Sequence, residues 1–186
     1  MNSLPEFFVP LDSIEAVSEL MTLDEYILLM DGTRTLLEVE IAEFETTLPD
    51  TLPADYRDFL QKTNGGGISL EIDLCTPVAS NGYDEFTGPM SVFGIDGKDL
   101  LQKNRVCYSG HIPRELAMIA SDCFGNGICV GITGEARGKI YLWDHELECG
   151  NGDDWDGSVI SCEASTLHTN SFAECLAGSY IGDGEI

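Results

Sequence analysis

Apolar residues recur at helical spacing through the first third of the chain and at a spacing of two beyond it. Ile14, Val17, Leu20 and Met21 share one face of a stretch opened by Asp12-Ser13-Ile14-Glu15. Thr22-Leu23-Asp24-Glu25 then has the spacing of a capping box, ahead of Tyr26, Ile27 and Met30, with Asp31-Gly32 as a stop. In such a box a threonine hydroxyl and a glutamate carboxylate take up backbone N–H groups that have no partner inside the helix. The pattern predicts two short helices or one kinked helix. Thr35-Leu36-Leu37-Glu38 is a further box: Leu37, Ile41, Phe44 and Leu48 follow one stripe, and Glu38, Glu40, Glu43 and Glu45 mostly face water. Pro53 suits a first helical position, so a helix is predicted over Pro53–Thr63, with Tyr56, Phe59 and Leu60 at core spacing. Asn64-Gly65-Gly66-Gly67 ends it through a left-handed cap.

After the glycines, Ile68, Leu70, Ile72 and Leu74 alternate with Ser69, Glu71 and Asp73, the pattern of a half-buried strand. Asn81-Gly82 and Thr87-Gly88-Pro89 mark loop, Met90–Ile95 reads as another strand, and Asp99–Asn104 as a short helical turn. Ile128, Val130 and Ile132 alternate with Cys129 and Gly131, and the turn Thr133–Gly138 leads to Lys139–His145, which predicts a hairpin. On its second strand Ile140 and Leu142 point one way, and Lys139, Tyr141, Trp143 and His145 the other. Asn151–Gly157 is a polar loop, and Asn170-Ser171 caps a last helix carrying Phe172, Cys175, Leu176 and Tyr180. Helices first, then strands with short connections, then a helix, favour an α+β domain with a mostly antiparallel sheet over a doubly wound parallel one.

The length of 186 residues suits one domain with an N-terminal elaboration, and 43% hydrophobic residues suffice for a packed core. Charge is what changes the picture. Thirty-three Asp and Glu against nine Lys and Arg leave a formal net charge of −24, which repels nucleic acid and anionic membranes and attracts basic partners. The excess is also polarised. No Lys or Arg follows Lys139, whereas Asp144, Glu146, Glu148, Asp153, Asp154, Asp156, Glu163, Glu174, Asp183 and Glu185 accumulate there. With no bilayer-spanning apolar run, and with a start, Met1-Asn2-Ser3-Leu4-Pro5-Glu6, that lacks the basic region of a secretory signal, the chain reads as cytoplasmic. Seven cysteines, an odd number with no C-x-x-C pair, read as reduced and mostly buried.

An ordered set of short fragments carries a resemblance: Glu45, Leu52-Pro53, Tyr56, Phe59-Leu60 and Asn64-Gly65-Gly66, followed by Ile112-Pro113, Ile119-Ala120, Asp122 and Gly125-Asn126. It continues through Gly138, Ile140-Tyr141, Trp143-Asp144-His145 and Ser171-Phe172. With these the chain resembles the SUKH superfamily, the Smi/Knr-like domain, from about Leu37 to Tyr180. The resemblance implies an α+β fold with a helix packed on a mostly antiparallel sheet, over residues 37–186, with residues 1–36 an added N-terminal helical extension. It also implies a non-catalytic binding role, in bacteria commonly as an immunity protein against a polymorphic toxin. No catalytic set is carried over. Gly65 and Gly66 are read as positive-φ positions and Trp143 as a packing residue.

Candidate chemistry elsewhere is weighed on spacing. Asp144-His145-Glu146 with Cys149 has metal-ligand residue types, but adjacent strand residues face opposite ways, so no metal is expected. Gly152-Asp153-Asp154-Trp155-Asp156-Gly157, with Glu163 beyond, fits part of a calcium loop, yet Gly152 stands where the first carboxylate belongs. An acidic surface loop is the simpler reading, with Trp155 as its aromatic anchor. His111, His145 and His168 lie in unrelated contexts, and no nucleophile elbow or phosphate-cradling glycine motif occurs. The expectation is therefore a cytoplasmic protein-binding domain, without cofactor, that neutralises a basic toxin domain, a nuclease among the candidates. Its partner-binding residues are Asp153, Asp154, Trp155, Asp156, Glu146 and Glu148. An intracellular scaffold of the Smi/Knr type is the alternative, and an unrecognised hydrolase comes third.

Overall fold

The computed structural model of the chain describes residues 30–31, 34–68, 74–75, 91–96, 108–121, 125–147, 156–162, 164–177 and 180–181. The helices expected before Met30 and the turn at Asp99–Asn104 lie outside them. Where a helix was expected to end, Met30–Asp31 form a short strand, β1. The next helix, α1, spans Glu38–Glu45 and starts later than its Thr35 box. Arg34 N donates to Thr63 O (2.9 Å) and Leu36 N to Gln61 O (2.7 Å), so this stretch is strapped, unhelical, to the end of the following helix. The cap moves to Leu37, whose N–H donates to Glu40 Oε2 at 2.6 Å. Leucine has no acceptor to return, so only the glutamate half of the box forms. Leu37, expected in the apolar stripe, is 66% exposed, and Leu36 takes its place in the core beside Ile41 and Phe44.

Helix α2 spans Ala54–Thr63, with Pro53 at the cap rather than inside the first turn. It ends at Asn64 (φ 51°), followed by Gly65 (φ 77°), the left-handed stop expected of Asn-Gly-Gly. Glu45 does not face water as expected. Its Oε1 accepts from Leu52 N (3.0 Å) and pairs with Arg57 Nε (3.2 Å), while Arg57 Nη2 reaches Glu38 at 2.5 Å, which ties α1 to α2. Helix α3, Phe172–Ala177, is capped by Ser171, whose Oγ accepts from Glu174 N at 3.1 Å. Its Phe172 ring meets Phe59 (4.9 Å between centroids) and stands edge-on to Tyr56 (5.1 Å).

The remaining strands are β2 (Gly66–Ile68), β3 (Leu74–Cys75), β4 (Ser91–Val92), β5 (Leu116–Ser121), β6 (Gly127–Gly131), β7 (Ile140–Trp143), β8 (Ser165–Thr169) and β9 (Tyr180–Ile181). Among the described residues seven strands, β1 included, form one antiparallel sheet in the order β1-β2-β4-β5-β6-β7-β8, and β3 pairs with β9. The α+β fold with a mostly antiparallel sheet is thus the observed one. Of the strand expected from Ile68 to Leu74, Ile68 lies in β2 and Leu74 in β3 while the residues between them are outside those described, and Tyr180, expected on the last helix, lies in β9. The Ile128 and Ile140 hairpin stands as expected, Val130 opposite Ile140 and Ile128 opposite Leu142.

Every residue of β5 and β6 is buried, so both faces of the sheet are covered at its centre. Trp143 packs edge-on against Tyr108 (5.3 Å) and is 4% exposed, the packing role the resemblance implied. Tyr56 is fully buried, and its hydroxyl meets no hydrogen-bond partner among the described residues. A buried orphan hydroxyl keeps its desolvation cost. Tyr56→Phe should therefore raise stability by about 1 kcal/mol, read as a higher urea midpoint at constant slope.

Candidate partner-binding site

The acidic segment after Lys139 emerges from the C-terminal end of β7. Asp144 closes its base: the backbone N–H donates to Ala164 O (2.9 Å), joining the two ends of the β7–β8 connection. The Asp144 carboxylate accepts from Glu146 N (2.8 Å), the Asx turn that redirects the chain. His145, weighed as a ligand or base, is bound elsewhere. Its backbone N (3.3 Å) and Nδ1 (2.9 Å) both approach Asn126 Oδ1, fastening the end of β7 to the turn before β6. Because a carboxamide oxygen can only accept, Nδ1 carries the proton. Asp144 and His145 thus serve different partners, although both lie past the end of β7 at Trp143 and not, as expected, on the strand itself.

Of the expected partner-binding residues, Glu146 is exposed on this turn and Asp156 on the returning limb of the connection. Glu148, Asp153, Asp154 and Trp155 lie outside the described residues. Asp156 Oδ1 accepts from Ser161 Oγ (2.6 Å) and Ser158 N (2.8 Å), and Gly157 (φ 80°) follows it. The Ser161 hydroxyl first, then Ser158, hold the carboxyl down at about 2; the charge of Arg114 adds least. Gly157 O accepts from Arg114 N at 3.1 Å, so the limb is moored beside the start of β5.

A group whose folded pKa is depressed contributes stability above its unfolded pKa and loses it as pH falls through the folded value. Asp156 should accordingly stay ionised through pH 4 and protonate near 2, while an ordinary aspartate is half-protonated near 4. A carboxyl-carbon NMR titration reads this directly, and Ser161→Ala should move the midpoint upward.

Two apolar side chains stand out among these acids: Ile160 is 87% exposed and Leu147 46%. Neither is among the residues expected to bind a partner, although an isoleucine and a leucine in a polar connection are signals already present in the sequence. Positive charge is handled differently at the helical end. Arg34 pairs with Glu40 and Asp96, Arg57 with Glu38 and Glu45, and Arg137 Nη1 donates to Thr51 O (2.6 Å) and Ile132 O (2.8 Å). These guanidiniums are occupied inside the molecule, so they do little to offset the carboxylates of the β7–β8 connection.

The described thiols offer no reactive nucleophile. Burial pushes Cys175 up to about 12 and Cys129 higher still, so the thiolate is strongly disfavoured at both. Cys162, read from sequence as reduced, is instead disulfide-bonded; the cysteine that it bridges is not among the described side chains. No helix among the described residues is long and apolar enough to cross a membrane.

The protein "SPbeta prophage-derived uncharacterized protein YokK" of Bacillus subtilis (strain 168) is 33% identical to this chain over 121 residues. The match covers 58% of this chain and 62% of that protein, less than two thirds of its length. A family model described as SMI1 / KNR4 family (SUKH-1) matches residues 35–177, a span that runs from the strap before α1 to the end of α3 and takes in the hairpin with Trp143. With most of its length inside that match, the chain belongs to the SMI1/KNR4 (SUKH-1) family.

Proposed function

We propose that this chain is a non-catalytic binding protein of the cytoplasm that acts as an immunity protein, occluding a positively charged toxin domain with the acidic β7–β8 connection. The observation that carries this reading is the charge polarity: ten carboxylates and no Lys or Arg follow Lys139, while the arginines of the helical end are paired internally. A face of this kind mimics the polyanion that a nuclease groove grips, and it accelerates encounter with a cationic partner more than it tightens the final complex. Exposed Ile160 and Leu147 supply apolar contact within the acidic field.

The test is capture of candidate basic toxin domains, nuclease domains included, at rising salt. Association should slow by about tenfold or more between low and physiological ionic strength. Reversing Asp153 and Asp154 to lysine, which spares the Asp156 contacts to Ser158 and Ser161, should reduce the association rate by about tenfold or more with little change in melting temperature. Association that ignores ionic strength, or that survives the reversal unchanged, overturns the reading.

A further inference from the structure

Strand β8 ends the sheet, and its register determines which of its backbone groups are already used. Asp144 N donates to Ala164 O, and on the other flank of the same strand Gly131 N donates to Lys139 O, each at 2.9 Å. Backbone groups of an antiparallel strand point alternately to its two neighbours. Residues 140, 142 and 144 therefore face β8, and Thr166, opposite Leu142, faces back. Ser165 and Leu167 turn their backbone groups away from the sheet. Ser165 N is taken by Cys162 O (3.2 Å); the N–H and C=O of Leu167 and the C=O of Ser165 meet no strand among the described residues. The Leu167 side chain, opposite Tyr141, is 41% exposed. The register shifts between Ile140 and Tyr141, leaving His168 as a bulge, so open pairing is confined to the Ser165–Leu167 half.

Charge selects the occupant. Asp144 and Glu146 stand at the Ser165 end of this edge. Lys139 adjoins Ile140, which pairs with Thr169, and Glu174 Oε2 accepts from Asn170 N at that same end. A second copy would bring the same carboxylates and a net charge of −24 against itself, so like-charge repulsion opposes self-pairing. We propose that β8 accepts an extended segment of a basic protein as a further strand. The segment's lysine or arginine residues lie against Asp144 and Glu146, and an apolar side chain lies beside Leu167. The cationic end of the segment is held at Ser165, because Lys139 offsets Glu174 at the Thr169 end. This rests on the acidic-surface reading and adds to it the mode of contact.

The probe is a short peptide of alternating valine and threonine with lysines clustered at both ends, and its control carries glutamates instead. In amide-resolved hydrogen exchange on the full chain, the lysine peptide should slow exchange at Leu167 by about tenfold or more, and the glutamate peptide should not. Leu167→Pro removes the outward donor while leaving the Thr166 pairing with Leu142, and it should weaken peptide binding by about tenfold. Leu167→Ala, which keeps the donor, should retain most of the binding and shows that loss in the proline variant is not misfolding. Salt-sensitive binding of the lysine peptide with unchanged exchange at Leu167 overturns the edge-strand mode and leaves the acidic-surface reading standing. Absence of any binding at low salt overturns both, and a dimer paired through β8 in sedimentation overturns the choice of occupant.

Discussion

Phe59→Ala should cost this protein about 3–5 kcal/mol, enough to leave much of the chain unfolded at physiological temperature. Phe59 is fully buried on α2, where its ring meets Phe172 at 4.9 Å and Tyr56 at 6.3 Å between centroids. Truncation removes the ring's buried surface and leaves a cavity at the contact where α3, distant in sequence, is held against α2. These neighbours cannot close around it easily, since Tyr56 is itself fully buried and Ala173 N is tied to Asp55 Oδ2 at 3.1 Å. The measurement is urea unfolding: the midpoint should fall sharply at unchanged slope, and Phe59→Leu should recover more than half of the loss. A midpoint unchanged within about 1 kcal/mol would mean that α2 and α3 are not held through this ring.

The elements legible in the sequence were those whose own residues carry a period. Tyr56, Phe59 and Leu60 share a face of α2, and in the hairpin Ile128, Val130 and Ile132 alternate with the smaller Cys129 and Gly131 even though every residue of β6 is buried. Strand β5 could not be read in this way: Leu116, Ala117, Met118, Ile119 and Ala120 form an unbroken apolar run, because both faces of the sheet are covered there. Strand β8 failed for the opposite reason. Ser165-Thr166-Leu167-His168-Thr169 has one strongly apolar residue, and its extended form comes from pairing with Tyr141–Trp143, a contact written nowhere in its own composition. At Leu37 two overlapping capping spacings competed, and the tertiary strap from Leu36 to Gln61 decided between them. The acidity of the β7–β8 connection was legible as composition. Its wiring was not, since Asp144 to Ala164, His145 to Asn126 and Asp156 to Ser161 depend on which strands adjoin.

Gly65→Ala tests the Asn-Gly-Gly stop, the fragment on which helix end and sheet entry both depend. Gly65 has φ +77°, a region that a residue bearing Cβ enters only at a cost of about 1–2 kcal/mol. Space is the larger obstacle. A Cβ there would come within 2.5 Å of Gly94 N and 2.6 Å of both Phe93 C and Val92 O, backbone atoms that cannot rotate aside. Nor can the strand retreat freely, because Phe93 N donates to Ile119 O at 2.8 Å and Ile95 N to Asn64 Oδ1 at 2.9 Å. Strain and overpacking together should destabilise the protein by about 2–5 kcal/mol. Gly67→Ala is the matched control, since a Cβ at that position meets nothing within 4 Å, and it should change stability by less than about 1 kcal/mol. Thermal unfolding of the pair separates the causes: a large drop for both would point to a general need for glycine flexibility. A drop confined to Gly65 places the cost in the close passage of α2's end beneath β4.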